Sequence, residues 1–334
     1  KGSGRKQEER PYVLDQEILI DLENAMNWAQ QPDKRTDEQL PYLQHLSRRI
    51  DESGLRNGKI SELEAQVYAE LGAFKPAIDC YQRLQASPDG DFSVKAIEQW
   101  CNLRVRVMAQ EWERQTKLDA AKEVLAAIEA EAEEVIKDLK SLLRLGKTAE
   151  RLSLLGSAYK RKCVMVKDKE TLTDCLEQMA EYYKQACLLN NEELEKVRIY
   201  PLSNWITAEK LLKDRGRLIQ LGRLLPERLS DYLDSLLQRM RKTRDRKEFW
   251  DFIGIINVYQ CQLLDVDTQS QRRQLREDIM QEYRDAWRVG GSNRHKDSEL
   301  AHSKFVHHVL QQLGTHPKGL QEEARGLVDF FETL

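Results

Sequence analysis

From Leu14 onward, apolar residues return every three or four positions. Leu14, Ile18, Leu22, Ala25, Met26 and Ala29 fall on one stripe of a helix predicted over 12–30 and stopped before Pro32. The same period recurs at 40–50, closed by a Gly54 to Gly58 turn, and again at 60–71 and 75–84. After Gly90 the pattern predicts two long helices, 94–109 and 117–145, around a 111–116 region. In the second, Val124, Leu125, Ile128, Val135, Ile136 and Leu139 form a core-facing stripe. Glu129, Glu131, Glu133 and Glu134 stand mostly off it and read as a solvated face. Helical period resumes at Tyr200, where Pro201 suits a first turn, and then over 218–239, 247–264, 269–287, 297–313 and 320–333. The last segment is expected to cap the chain. Its Phe330 and Phe331 need cover, and exposed rings there would mark a docking surface.

Within this pattern, small and large residues repeat in a fixed order. Leu155, Gly156 and Tyr159 place a gap and then a ring on one helical face, and Tyr183, Ala186 and Asn190 supply the large residue, small residue and stop of a second helix. Tyr68, Gly72, Phe74, Ala77, Tyr81 and Pro88 give a similar order at shorter length. Both runs resemble tetratricopeptide repeats, in which paired helices bury their apolar faces only against neighbouring pairs. The first is a stretched variant, because 161–178 is longer than an ordinary inter-helix turn. The second departs from the pattern at Glu64, Ala65 and Leu84.

Composition points the same way. Sixteen Gly and eight Pro in 334 residues, with no Pro from 89 to 200, suit long helices rather than a turn-rich sheet. The expected fold is therefore all-α, an α-solenoid of tetratricopeptide-like hairpins with irregular, elongated repeats. Its expected organisation is a tail or linker at 1–10 and a solenoid over 11–334, with N-terminal repeats at 11–90, further repeats at 91–315 and a capping helix at 316–334. A formal net charge of −3 gives no overall basic excess for phosphate binding. No stretch approaches the apolar length of a membrane span, so no membrane partner is expected. The six cysteines form no CxxC pair and read as buried reduced thiols of a cytoplasmic protein. The opening Lys1-Gly-Ser-Gly reads as a linker or processed end, with an upstream or partner domain expected outside this chain.

Candidate chemistry is sparse. A cysteine peptidase needs a thiolate and a histidine base presented at strand ends, whereas Cys261 lies in a helical pattern. Gly146-Lys147-Thr148 lacks the glycine and strand of a phosphate loop and reads as a turn between helices. Five of six histidines fall between His295 and His316, but no pair has the i, i+4 spacing of a helical metal site. They read as surface or capping residues, with a pH-responsive face as the alternative. No catalytic residue, metal or cofactor is expected. Arg239, Arg241, Lys242, Arg244, Arg246 and Lys247 form a basic stretch, read as a solvated linker or, alternatively, as an anion or nucleic-acid patch. It lacks the interleaved aromatics that stack bases. Ser153 and Ser157, with Glu62 and Gln66, replace the Lys and Asn of a carboxylate clamp. Ser157, Lys160, Asn204, Thr207 and Lys210 are the expected partner contacts, being polar within an otherwise packed pattern.

The runs Ala149–Arg161, Tyr200–Glu209 and Tyr283–Ser292 also resemble a bacterial tetratricopeptide region often joined to caspase-like CHAT peptidases. That region is distantly similar to the TRAF-binding helical region of apoptosis-signal-regulating kinases. The resemblance spans about 60–315, and the histidine-rich segment after Gly291 departs from it. It implies a non-catalytic solenoid that holds a protein partner and controls an effector, here a CHAT peptidase in the same polypeptide or complex, in bacterial defence or signalling. A nucleic-acid-responsive adaptor using 239–247 is the alternative reading.

Overall fold

The computed structural model describes residues 9–31, 38–54, 57–86, 92–189, 198–225, 227–242 and 249–334. Pro88 and Asn190, expected as helix stops, lie outside them, as do Arg244, Arg246 and Lys247 and residues 1–8 of the expected tail. Among the described residues there are fifteen α-helices, one 3-10 turn and no strand, so the fold is all-α. The chain divides into two compact units: residues up to Leu103 with Gly290–Asp297, and Arg104–Val289 with Ser298–Leu334.

The first unit holds α1 (Glu9–Gln30), α2 (Gln39–Ser53), α3 (Gly58–Glu70), α4 (Phe74–Ala86) and the start of α5 (Val94–Lys117). α3 packs along both α1 and α4. Asn57 caps α3, its side chain accepting from the Ile60 N–H at 2.9 Å, a bond worth about 1 kcal/mol at an N-cap. Gly72 ends the α3 side of the hairpin at φ +78, and a Cβ there would sit 3.3 Å from Asn293 Cβ. Ala77 and Tyr81 are buried, and the buried Tyr68 shares a 2.8 Å hydrogen bond with Ser47.

The second unit continues α5 and adds α6 (Lys122–Leu142), a 3-10 turn (Leu143–Leu145), α7 (Ala149–Cys163), α8 (Lys169–Leu188), α9 (Ile199–Leu212) and α10 (Arg215–Leu224). After these come α11 (Leu229–Lys242), α12 (Phe249–Leu263), α13 (Gln269–Val289), α14 (Asn293–Leu313, in this unit from Ser298) and α15 (Lys318–Thr333). Helices stack in tetratricopeptide fashion, α7 on α8, α8 on α9 and α12 on α13 as chain neighbours, with α9 also on α12 and α13 on α15 across intervening helices. At the first of these contacts a Cβ on Gly156 would lie 2.7 Å from the Tyr183 ring, so only glycine lets α8 approach this closely. Tyr159 stacks on Tyr182 at 5.7 Å, and Leu155 and Ala186 are buried.

Three boundaries differ from expectation. α5 runs unbroken through 111–116, because Arg114 and Gln115 bond Glu111 while Lys117 bonds Glu113, pairing those charges along the helix. The break comes instead at Asp119, whose φ is +53. The stretched repeat is lengthened in its second helix rather than its loop: α8 starts at Lys169, capped by Asp168 accepting from the Thr171 N–H at 2.8 Å. The single helix expected over 218–239 is two, α10 and α11, with Pro226 between them in sequence. Phe330 and Phe331 are covered, Phe331 meeting Tyr283 edge-on at 4.6 Å, so they form no exposed docking surface.

Candidate recognition site

On α7, Leu152, Leu155 and Tyr159 form the buried apolar stripe, while Ser153, Ser157 and Lys160 recur at i, i+4 and i+7 as a second, polar stripe. Lys160 brings that stripe to α9, donating to Asn204 Oδ1 at 2.9 Å, and Asn204 in turn donates to the Tyr200 carbonyl at 2.8 Å. Asn204 is 2% exposed, so these bonds satisfy an amide that burial would otherwise penalise. Two of the five expected partner residues therefore meet. The other three have separate partners. Ser157 accepts from Arg161 at 2.6 Å; Thr207 faces the Cys261 thiol at 3.8 Å; Lys210 is ion-paired with Asp265.

Sequence reasoning missed the third element of the site. His302 on α14 lies beside Lys160, its Nδ1 2.5 Å from the Lys160 ammonium, and the Phe305 ring is 5.7 Å from the same nitrogen. With Lys160 as an ammonium, which can only donate, His302 accepts at Nδ1 and carries its proton on Nε2. Glu299 sits one turn earlier, and Arg106 on α5 donates to Ser298 at 2.7 Å. Glu299 Oε2, His302 Nε2 and Ser303 Oγ are buried without a hydrogen-bond partner among the described residues. Each such group carries a desolvation cost of about 1–3 kcal/mol. Helical period and histidine density were the only signals for α14 in the sequence, and neither places it at this site. Of the histidines expected at the surface or at caps, His302 is buried at the site, whereas His316, also buried, bonds the Leu211 carbonyl in the last turn of α9 at 3.1 Å, as a cap does.

The cluster is electrostatically tense. Burial lowers the Lys160 pKa to about 7; nearby Glu299 opposes this, and Arg161 and Arg106 add to it. Burial likewise raises Glu299 to about 7, against the pull of Lys160. The His302 imidazole is held well below its ordinary range by burial and then by Lys160, so it stays neutral. Such perturbed groups mark a candidate functional site.

Elsewhere the candidates are absorbed by structure. Arg239 lies over the Tyr232 ring at 6.0 Å, Arg241 over Tyr259 at 5.6 Å, and Lys242 is the exposed last residue of α11. All six cysteines are buried thiols, none of them in a disulfide. Cys261 donates to the Ser203 carbonyl at 3.4 Å and burial pushes its thiol up to about 12, the opposite of an activated nucleophile. Gly146 forms the turn before α7, with Thr148 capping that helix by accepting from the Arg151 N–H at 3.1 Å. Among the described residues, no group of His, Cys, Asp and Glu is placed to hold a metal, and no helix is long and apolar enough to cross a membrane.

This polar stripe lies within a segment with recognisable relatives. Residues 73–209 match the family model described as Tetratricopeptide Repeats-Sensor. The matched segment runs from the start of α4 into α9 and so includes Lys160 and Asn204. No curated protein matches the chain.

Proposed function

We propose that this chain is a non-catalytic recognition module whose polar stripe on α7 and α9 reads a protein partner, and that partner binding controls an attached or associated effector. The observation that carries this reading is the Lys160–Asn204 pair, a buried polar contact inside a repeat segment of the sensor type. Repeat arrays hold a face rigid through nearest-neighbour contacts, so a partner seated at one hairpin biases the next. The resemblance of the three sequence runs to CHAT-linked regions supports a caspase-like CHAT peptidase as the effector, in a cytoplasmic bacterial defence or signalling system.

Two arms of one experiment test this. The protein carrying Lys160→Glu, purified from its native host, should lose a protein that the wild type retains, whereas Arg239→Glu/Arg241→Glu should keep it. An unchanged set of proteins with Lys160→Glu contradicts the reading. The second arm titrates RNA and DNA at several salt concentrations, since phosphate contacts require a salt slope. A slope that disappears in the arginine variant would favour the nucleic-acid adaptor instead.

A further inference from the structure

The end of α7 and the second turn of α8 bring two thiols together. Cys163 is the last residue of α7, and Cys175 lies on the buried face of α8, the helix that α7 packs against. Cys163 is wholly buried and Cys175 is 2% exposed. Their sulfurs share a hydrogen bond, the Cys163 thiol donating and the Cys175 sulfur accepting. The Lys162 ammonium stands near the same acceptor and is ion-paired with Glu133 on α6. Glu133 is half-exposed, so this ion pair leads from the thiols to the protein surface. The two sulfurs are thereby made unlike. The hydrogen bond from Cys163 holds the Cys175 thiol below its ordinary range; burial works against this, Lys162 adds to it, and Glu133 and Asp174 oppose it. Cys163 moves the other way, held well above its ordinary range by burial and then by Cys175. At Cys187 and Cys261 burial pushes the thiol up to about 12. Two thiols in hydrogen-bond contact, one favouring its thiolate and one keeping its proton, are suited to be the attacking and resolving partners of a disulfide.

We infer that Cys163 and Cys175 are a redox pair that closes to a disulfide when the protein meets hydrogen peroxide, and that the bond locks the last turn of α7, which carries Lys160, to α8. The Cys175 thiolate attacks one peroxide oxygen, the O–O bond breaks, and the hydroxide that leaves takes up a proton to become water. Cys175 is then a sulfenic acid. The Cys163 sulfur attacks the Cys175 sulfur, the S–O bond breaks, and the departing hydroxide leaves as water with the Cys163 proton. Two thiols are oxidised and one peroxide is reduced to two waters. The inference goes beyond the recognition reading and does not depend on it.

The whole chain, reduced and then freed of reductant, is treated with hydrogen peroxide, unfolded in an alkylating reagent and mapped by mass spectrometry. The expected product is a cross-link between the Cys163 and Cys175 peptides, reversed by dithiothreitol, with Cys80, Cys101, Cys187 and Cys261 alkylated. In Cys163→Ser the resolving thiol is gone, so a sulfenic acid at Cys175 should be trapped by dimedone. In Cys175→Ser, Cys163 should oxidise at least roughly tenfold more slowly than Cys175 does in the wild type. Should either variant fail to fold, the wild-type map decides. In hydrogen exchange, amides 164–172 of the oxidised chain should exchange roughly tenfold more slowly than in the reduced chain. Cys163 and Cys175 both alkylated after a peroxide dose that oxidises methionines overturns the proposal, and so does a cross-link of either to another cysteine. A disulfide that leaves those amides unchanged overturns the locking of α7 to α8. Neither readout involves a partner retained through Lys160, so failure here and failure of the recognition reading are separate results.

Discussion

At the scale of single residues, two positions carry most of the account. Gly156 is the point where α7 and α8 meet most closely, and any side chain must displace the Tyr183 ring. Gly156→Leu should therefore overpack the contact and cost about 1–3 kcal/mol, measured as a lower denaturation midpoint; an unshifted midpoint would count against the helix contact described. Lys160 is the other. Its ammonium gives up a proton near pH 7 in the folded chain, whereas an exposed lysine holds it to about pH 10. Across that window the unfolded state binds more protons, so stability rises with pH and is lost again as pH falls toward 7. Lys160→Met should flatten this rise in a series of melting curves, by at most about 1.4 kcal/mol per pH unit. Glu299, raised to about 7, acts on the other side: its contribution is full below the ordinary carboxylate range and fades as pH climbs to 7. His302, His307, His308 and His316 oppose it, because burial lowers each and the stability linked to them falls as pH drops below about 6.5. Glu299→Gln should consequently steepen acid destabilisation, and a wild-type-like slope would speak against the buried carboxyl described.

At the scale of elements, the hydrophobic period placed most helices, because the repeats bury one apolar stripe each and leave the rest polar. The errors lie where local chemistry overrode the apparent break or run. Charged residues at 111–116 pair along α5 and keep it helical, and Asp168 starts α8 well inside what looked like an insertion. α10 ends at Leu224 and α11 begins at Leu229, although the apolar period of the sequence runs on across that boundary. The site was only half legible. Lys160 and Asn204 stood out as polar residues in packed pattern, but nothing local to α14 says that Glu299 and His302 lie against a helix some 140 positions earlier, His302 being 142 residues from Lys160. For α15, Phe331 is fully buried edge-on to Tyr283. Phe331→Ala should cost about 3–5 kcal/mol, read from the unfolding midpoint. A loss below that range would mean that α15 is not held to α13 by this ring.

At the scale of the whole molecule, the described residues form an all-α chain of stacked helices, and the proposed recognition role draws on one polar stripe of it. The described thiols are buried, and Cys261 is turned away from nucleophilic character. In the second unit polar burial runs along α7, α9 and α14, and of these α7 and most of α9 lie in the segment that matches the sensor-type repeat model. The most direct measurement places a photo-crosslinking amino acid at Ser153, on the polar stripe of α7, and another at Ile219, an exposed position on α10, in the protein within its native host. The account predicts that one protein partner is captured from position 153, that Lys160→Glu abolishes that product, and that position 219 does not give it. Capture of the same partner from 219 alone, or capture at 153 unaffected by Lys160→Glu, would contradict it.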